Sequence, residues 1–312
     1  MRGIAPVGRA MTRRVMFGVA ALVACTPVPP PPDGLWSVNG TELYVRRIGE
    51  GEPIIVIHGG PLLDHGYFLP HLEPLAATHQ LVFYDQRLNG RSAGTVDSAS
   101  VRIATFVDDI ESIRRQLGAR RVHVMGHSWG GQLALRYALA HGDRVASLIL
   151  VSPMPPSTAL WQAEGAALSE QMTAADGEAI ATMRATPGIA ARQPEAIREL
   201  LLLTFRPQFA DRARADHLAL MVPADYGERS RQFGFMMQDL ADYDLVPELR
   251  RVTARTLVVF GDAEPALALT GRLLADSIPD ARLVAIPASG HFTFVEQPEA
   301  FMQTIRSFLN DR

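Results

Sequence analysis

RRVHVMGHSWGGQLALRYALAHG, residues 120–142, changes its period in the middle. Its first seven residues form a short run with β-branched Val122 and Val124, the composition of a strand, and from Trp129 onward the pattern becomes helical. Between the two lies Gly126-His127-Ser128-Trp129-Gly130, a G-x-S-x-G stretch. Such a stretch turns a strand into a helix so tightly that only glycine fits at the flanks, and the serine hydroxyl stands out above the sheet. Five residues alone are weak evidence. The strand before them and the helix after them make Ser128 a candidate nucleophile.

Outward from this elbow, PIIVIH (53–58), QLVFYD (80–85) and VASLILVS (145–152) are short apolar runs suited to buried parallel strands, and RTLVVFGD (255–262) and ARLVAIP (281–287) take up the strand pattern again later. LWSVNG and TELYVRRIG flank Asn39-Gly40, a dipeptide favoured in two-residue hairpin turns. In TFVDDIESIRRQLG the residues Phe106, Ile110, Ile113 and Leu117 form one apolar helical stripe. Helices are also expected over 129–142, over 266–278 and from Pro298 onward. This alternation predicts an α/β fold, with a mostly parallel sheet covered by helices on both faces. It stops near residue 153 and resumes near 255. Residues 35–152 and 246–312 therefore read as the core, and 153–245, rich in Met, Ala and Arg, as an inserted helical cap.

With 312 residues and a net charge of −3, the chain is long enough for one large domain, and nothing in its charge asks for nucleic acid. Its 30 cationic residues are all Arg. The absence of Lys excludes a Ser-Lys dyad, a Schiff base and a Walker A site.

Arg2, Arg9, Arg13 and Arg14 precede the uncharged stretch VMFGVAALVA (15–24), which is too short to span a bilayer and reads as an export signal. It ends in Leu22-Val23-Ala24-Cys25, which resembles a bacterial lipobox. Residues 1–25 thus read as a lipoprotein-type signal and Cys25, the only cysteine, as the lipidated residue. TPVPPPPDG follows, and its prolines keep a chain extended, so residues 26–34 read as a tether. The expectation is an exported lipoprotein, anchored to a membrane through Cys25, with its folded domain on the periplasmic or outer side.

A serine hydroxyl needs a base, and the base needs an acid that fixes its tautomer. In IPASGHFTFVEQPEAF, His291 falls between the last strand and the last helix, where a loop can reach Ser128. RTLVVFGDAEP offers Glu264 and Asp262 as acids just beyond a strand. A tetrahedral intermediate also needs two backbone N–H donors. Trp129, after the nucleophile, and Gly60, in His58-Gly59-Gly60-Pro61, are the candidates. His58, Asp64 and His65 admit a metal reading, but the sequence supplies no third clustered ligand, and neither metal nor cofactor is expected.

HGGP at 58–61, DQRLNGRS at 85–92 and GHSWGG at 126–131, in this order, resemble the proline iminopeptidase branch of the α/β-hydrolase superfamily. The resemblance spans about 38–310 and is strongest in the core. It implies the α/β-hydrolase fold and an acid three residues after the strand-ending glycine, at Glu264. It also implies an acyl-enzyme aminopeptidase acting on short peptides or aminoacyl amides. The same residues would serve an esterase or lactonase on a small-molecule substrate, or a binding module that has lost catalysis. Leu62 stands where the family has the last glycine of HGGPG, and Leu88-Asn89 replaces a glycine-containing pair. The family binds the substrate amine with cap carboxylates. Here Glu164, Glu170, Asp225, Glu228 and Asp239 are available, and no sequence setting singles one out.

Overall fold

The computed structural model describes residues 1–3 and 30–311. Cys25, the rest of the signal from residue 4 and tether residues 26–29 lie outside the described residues.

Eight strands form one sheet: β1 Gly34–Val38, β2 Thr41–Ile48, β3 Pro53–Ile57, β4 Gln80–Tyr84, β5 Val122–His127, β6 Val145–Val151, β7 Thr256–Gly261 and β8 Ala281–Ile286. Their order is β1-β2-β4-β3-β5-β6-β7-β8. β1 and β2 are the expected hairpin, with positive φ at both Asn39 and Gly40, as a right-twisted two-residue turn requires. β2 meets β4 antiparallel, and every pairing from β4 through β3 to β8 is parallel.

The central strands β3 to β7 are buried almost throughout because both faces are covered, whereas β1, β2 and β8 are only partly buried. Ile55, Val82, Val124, Leu148 and Val258 join a core cluster with Phe106, Ile110 and Leu133. Their neighbours Ile54, Leu81, Met125, Ile149 and Leu257 point the other way, into a cluster with Phe68, Phe301 and Ile305. The helices Ile103–Gln116, Trp129–Ala140 and Thr270–Ser277 thus serve one face, and Pro298–Asn310 the other. Two helix boundaries differ from the sequence reading. The first helix after the elbow stops at Ala140, because His141 leaves helical geometry. The one expected over 266–278 begins as a separate 3-10 turn, Pro265–Leu267, because the backbone at Leu269 departs from helical geometry.

Between Val151 and Thr256 the described residues contain helices and no strand of the sheet; the longest are Thr158–Gln171, Ala174–Arg184 and Pro194–Phe205. The chain leaves and re-enters the core side by side. Thr158 N donates to Tyr243 O (2.9 Å), Leu245 N donates to Pro156 O (2.8 Å), and Ser157 bridges Asp244. Among the described residues, no helix is long and apolar enough to cross a membrane.

Candidate active site

Ser128 follows β5 directly, with φ 55° and ψ −121°, and the next residue opens the helix Trp129–Ala140. A Cβ on Gly126 would run into the carbonyl of Gly130, and one on Gly130 into that of Ile57, so the elbow closes only with glycine at both positions. The turn is pinned to its neighbours: Ser128 N donates to Val151 O (3.0 Å) and Met154 N to Ser128 O (2.8 Å). Positive φ at a non-glycine residue is strained backbone that the surrounding packing must hold in place.

Of the two candidate acids, Glu264 meets the imidazole. His291 Nδ1 lies 2.7 Å from Glu264 Oε1, while Ser152 Oγ donates to Glu264 Oε2 at 2.6 Å. Both carboxylate oxygens are therefore engaged. Asp262 is exposed and accepts from Ser289 N at 3.4 Å, away from the imidazole. Because the β7–β8 pairing ends at Gly261 and Ile286, the loops after both strands emerge together, which brings Glu264 to His291. The loop that carries His291 is clamped from two sides. His291 N donates to Gln208 O (2.9 Å), and the buried Glu296 accepts from Gly290 N (2.6 Å) and Asp211 N (2.9 Å).

Gly60 and Trp129 line one cavity with Ser128, His291 and Glu264. As the first residue of its helix, Trp129 has a backbone N–H with no intrahelical acceptor. The Gly60 loop is built by its neighbours. Gln86 Nε2 donates to His58 O (2.7 Å) and Gln86 N to His58 Nε2 (3.1 Å), while Trp129 Nε1 donates to Gln86 Oε1 (2.9 Å). Burial lowers the His58 pKa to about 4, so its ring is neutral and Nδ1–H is left to donate to Gly59 O. Arg87 forms a buried fork with Asp109, through Nε–Oδ2 at 2.8 Å and Nη2–Oδ1 at 2.7 Å. Leu62 and Leu88 have φ values of 66° and 67°. Both occupy left-handed backbone where glycine would sit without strain.

The cavity holds about 390 Å³, and the helices between β6 and β7 supply Trp161, Leu168, Phe233 and Met237 to its largely apolar wall. Of the five carboxylates noted in that interval, only Glu164 lines it. Asp225, Glu228 and Asp239 pair with Arg229, Arg231 and Arg102. Glu170 is exposed. Glu164 is in no ion pair among the described residues, and its Oε1 is buried without a hydrogen-bond partner. Burial, reinforced by the charge of Glu264, raises its pKa to about 7.

The structure supplies a third group beside Asp64 and His65, namely Asp85, with ligand atoms of all three within 4.8 Å of one another. Asp85 is already committed. Its Oδ1 accepts from His65 N (3.0 Å) and meets His65 Nδ1 (2.7 Å), and its Oδ2 accepts from Arg91 N (2.8 Å). The cluster ties the DQR turn to the loop after β3.

Ser152, Tyr67, His127 and Glu296 went unrecognised in the sequence. Ser152 had a usable signal, since it closes VASLILVS at the carboxyl end of a strand, where open parallel sheets carry their chemistry. His127 lies within the elbow itself, but its partners Tyr67 and His291, and the Asp211 that Glu296 holds, are remote in sequence and leave no local pattern.

Residues 52–298 match the alpha/beta hydrolase fold family. A proline iminopeptidase of Lactiplantibacillus plantarum is 28% identical over 293 residues, covering 87% of this chain and 98% of the relative. Among solved structures, the proline iminopeptidase of Mycobacterium smegmatis superposes with a TM-score of 0.65 at 25% identity, over 88% of this chain and 97% of that one. An esterase from Exiguobacterium antarcticum reaches a TM-score of 0.67 at 21% identity, over 90% and 100%, a likeness of fold. With a sheet of this order, an elbow at its carboxyl edge and a family match over most of its length, the chain belongs to the α/β-hydrolase fold family and is a hydrolase.

Proposed function

We propose that this protein is a serine hydrolase working through an acyl-enzyme, with Ser128 as nucleophile, His291 as base and Glu264 as the acid that orients it. One observation carries the reading: the strained serine elbow and the His291–Glu264 pair line a single cavity. With Glu264 accepting from Nδ1–H, the other ring nitrogen of His291 is left bare to take a proton. Ser128 Oγ attacks the substrate carbonyl carbon as its proton passes to His291. The carbonyl oxygen becomes an oxyanion facing the N–H groups of Trp129 and Gly60. Collapse breaks the bond to the leaving group, which departs with the proton from His291. Water then repeats the sequence on the ester of Ser128, releasing the carboxylic acid and restoring the serine.

For the substrate, the reading is an aminopeptidase of the proline iminopeptidase type, on short peptides or aminoacyl amides. It is supported by the likeness to proline iminopeptidases and by Glu164, the one cavity carboxylate free to meet a substrate ammonium. An ammonium brings its own counter-charge, so Glu164 would bind it ionised. The apolar wall favours a second reading, an esterase or lactonase with the same serine, base and acid. Turnover of proline p-nitroanilide and p-nitrophenyl butyrate by wild type and Glu164→Gln separates the two. The peptidase reading expects the anilide rate (kcat/KM) to fall by about tenfold or more, the scale of losing a buried charge partner, with ester turnover little changed. No anilide turnover by wild type, with brisk ester turnover, would establish the second.

The amino-terminal reading is part of the same proposal: an exported lipoprotein held to a membrane through Cys25, with the hydrolase domain on the outer side of its tether.

A further inference from the structure

The loops that carry Gly60 and His291 arise after β3 and β8, separated by some of the longest sequence intervals in the domain, yet the reaction needs them in fixed register. Between them runs a chain of buried hydrogen bonds. Gly59 N is 2.6 Å from Tyr67 Oη, Tyr67 Oη is 2.8 Å from His127 Nδ1, and His127 Nε2 is 3.0 Å from the carbonyl oxygen of His291. His127 stands directly before Ser128, so the chain touches the oxyanion loop, the elbow and the base loop.

The direction of every bond follows from its end. A carbonyl only accepts, so His127 Nε2 carries the ring proton and donates to His291 O. Burial, reinforced by the neighbouring His291, holds the His127 pKa well below the usual imidazole range, so the ring has no second proton and Nδ1 is a bare acceptor. Tyr67, whose hydroxyl burial keeps protonated, therefore donates to Nδ1, and its oxygen accepts from Gly59 N–H. Each group in the chain is used once. Because the chain ends on a carbonyl, which has no proton to pass on, it transmits position and not charge.

The surroundings fix the side chains. The Tyr67 ring stacks on Phe68 (centroids 4.9 Å apart) and approaches Phe294 (5.9 Å). The His127 ring meets Phe294 edge-on (5.2 Å) and lies 4.8 Å from that of His291. A Cβ on Gly59 would come within 2.9 Å of Tyr67 Oη and 3.0 Å of His127 Nδ1, so the space between loop and strut is already full.

We propose that Tyr67 and His127 are positioning residues that form a rigid strut, setting the separation of the oxyanion loop and the base around Ser128. The proposal rests on the serine-hydrolase reading above. It concerns how two loops are held in register, and applies whether the substrate is an amide or an ester.

The test uses the full chain, with two readouts: the rate of covalent labelling by a fluorophosphonate, and steady-state hydrolysis of p-nitrophenyl butyrate. Tyr67→Phe keeps the ring packing and removes both of its hydrogen bonds. Its labelling rate and kcat should fall by about 10- to 100-fold, the scale of a sub-ångström misplacement of reacting groups, while KM stays within about twofold. His127→Gln retains an N–H to offer the His291 carbonyl and His127→Leu does not, so Gln should recover at least part of the activity that Leu loses. Wild-type rates in Tyr67→Phe, or equal loss in the Gln and Leu variants, would overturn the strut. If Tyr67→Phe fails to fold, the His127 pair alone decides. Failure of the probe to label wild type at Ser128 would instead remove the serine-hydrolase reading, so the two failures are distinguishable.

Discussion

Glu264 spends both carboxylate oxygens inside the site, one on His291 and one on Ser152, while Asp262, two residues earlier, faces outward. Glu264→Ala should therefore lower kcat by about 10³- to 10⁴-fold, as loss of the tautomer-fixing acid does elsewhere, and Asp262→Ala should stay within about twofold. Steady-state hydrolysis by the two purified variants checks this, and the reverse ranking would exchange their roles. The sequence brought both acids to the correct loop, because a strand ending in glycine is legible. The family spacing after that glycine already points to Glu264, and the β7–β8 loops, which emerge together, turn it towards His291. The departures at Leu62 and Leu88 were visible as missing glycines, but not their consequence. Both leucines are buried at positive φ, where a Cβ costs about 1–2 kcal/mol, and their side chains repay part of this by joining the core.

Elements with a strong period were legible, because both faces of the central strands β3 to β7 are covered and those strands had to be nearly continuous apolar runs. The helix Thr158–Gln171 was read only as part of a helical interval, since it has no buried residue and a weak apolar stripe. It lines the cavity with Trp161, Leu168 and one carboxylate, Glu164. The folded pKa of about 7 lies above the ordinary glutamate value of 4.5, so the folded state holds a proton that the unfolded chain has lost. Stability tied to this group is thus fully present below about pH 4.5 and declines as pH rises towards 7. Glu164→Gln removes the titration. Compared with wild type, it should melt at the same temperature near pH 4.5 and higher at pH 8, by about 2–4 °C, corresponding to roughly 1 kcal/mol after allowance for partial exposure. Thermal melts at the two pH values test this, and equal melting temperatures at pH 8 would place the carboxylate in a more polar setting.

For the molecule as a whole, export and anchoring were read entirely from residues 1–34, where charge, apolar length and a single cysteine follow one another. A palmitate analogue fed to expressing cells should label the wild-type protein and leave Cys25→Ser unlabelled, and equal labelling of the two would end the lipoprotein reading. The core was legible end to end because each strand-helix unit carries its own signal. The substrate was not, because the cavity wall is assembled from side chains whose neighbours in space are remote in sequence. The paired crossing at Pro156–Thr158 and Tyr243–Leu245 has a further meaning. A helical interval whose two ends sit side by side behaves like a cartridge in a fixed socket: its outward parts are free to diverge, or to be exchanged by a protein engineer, as long as Gln208 and Asp211 stay in place to hold the loop of His291.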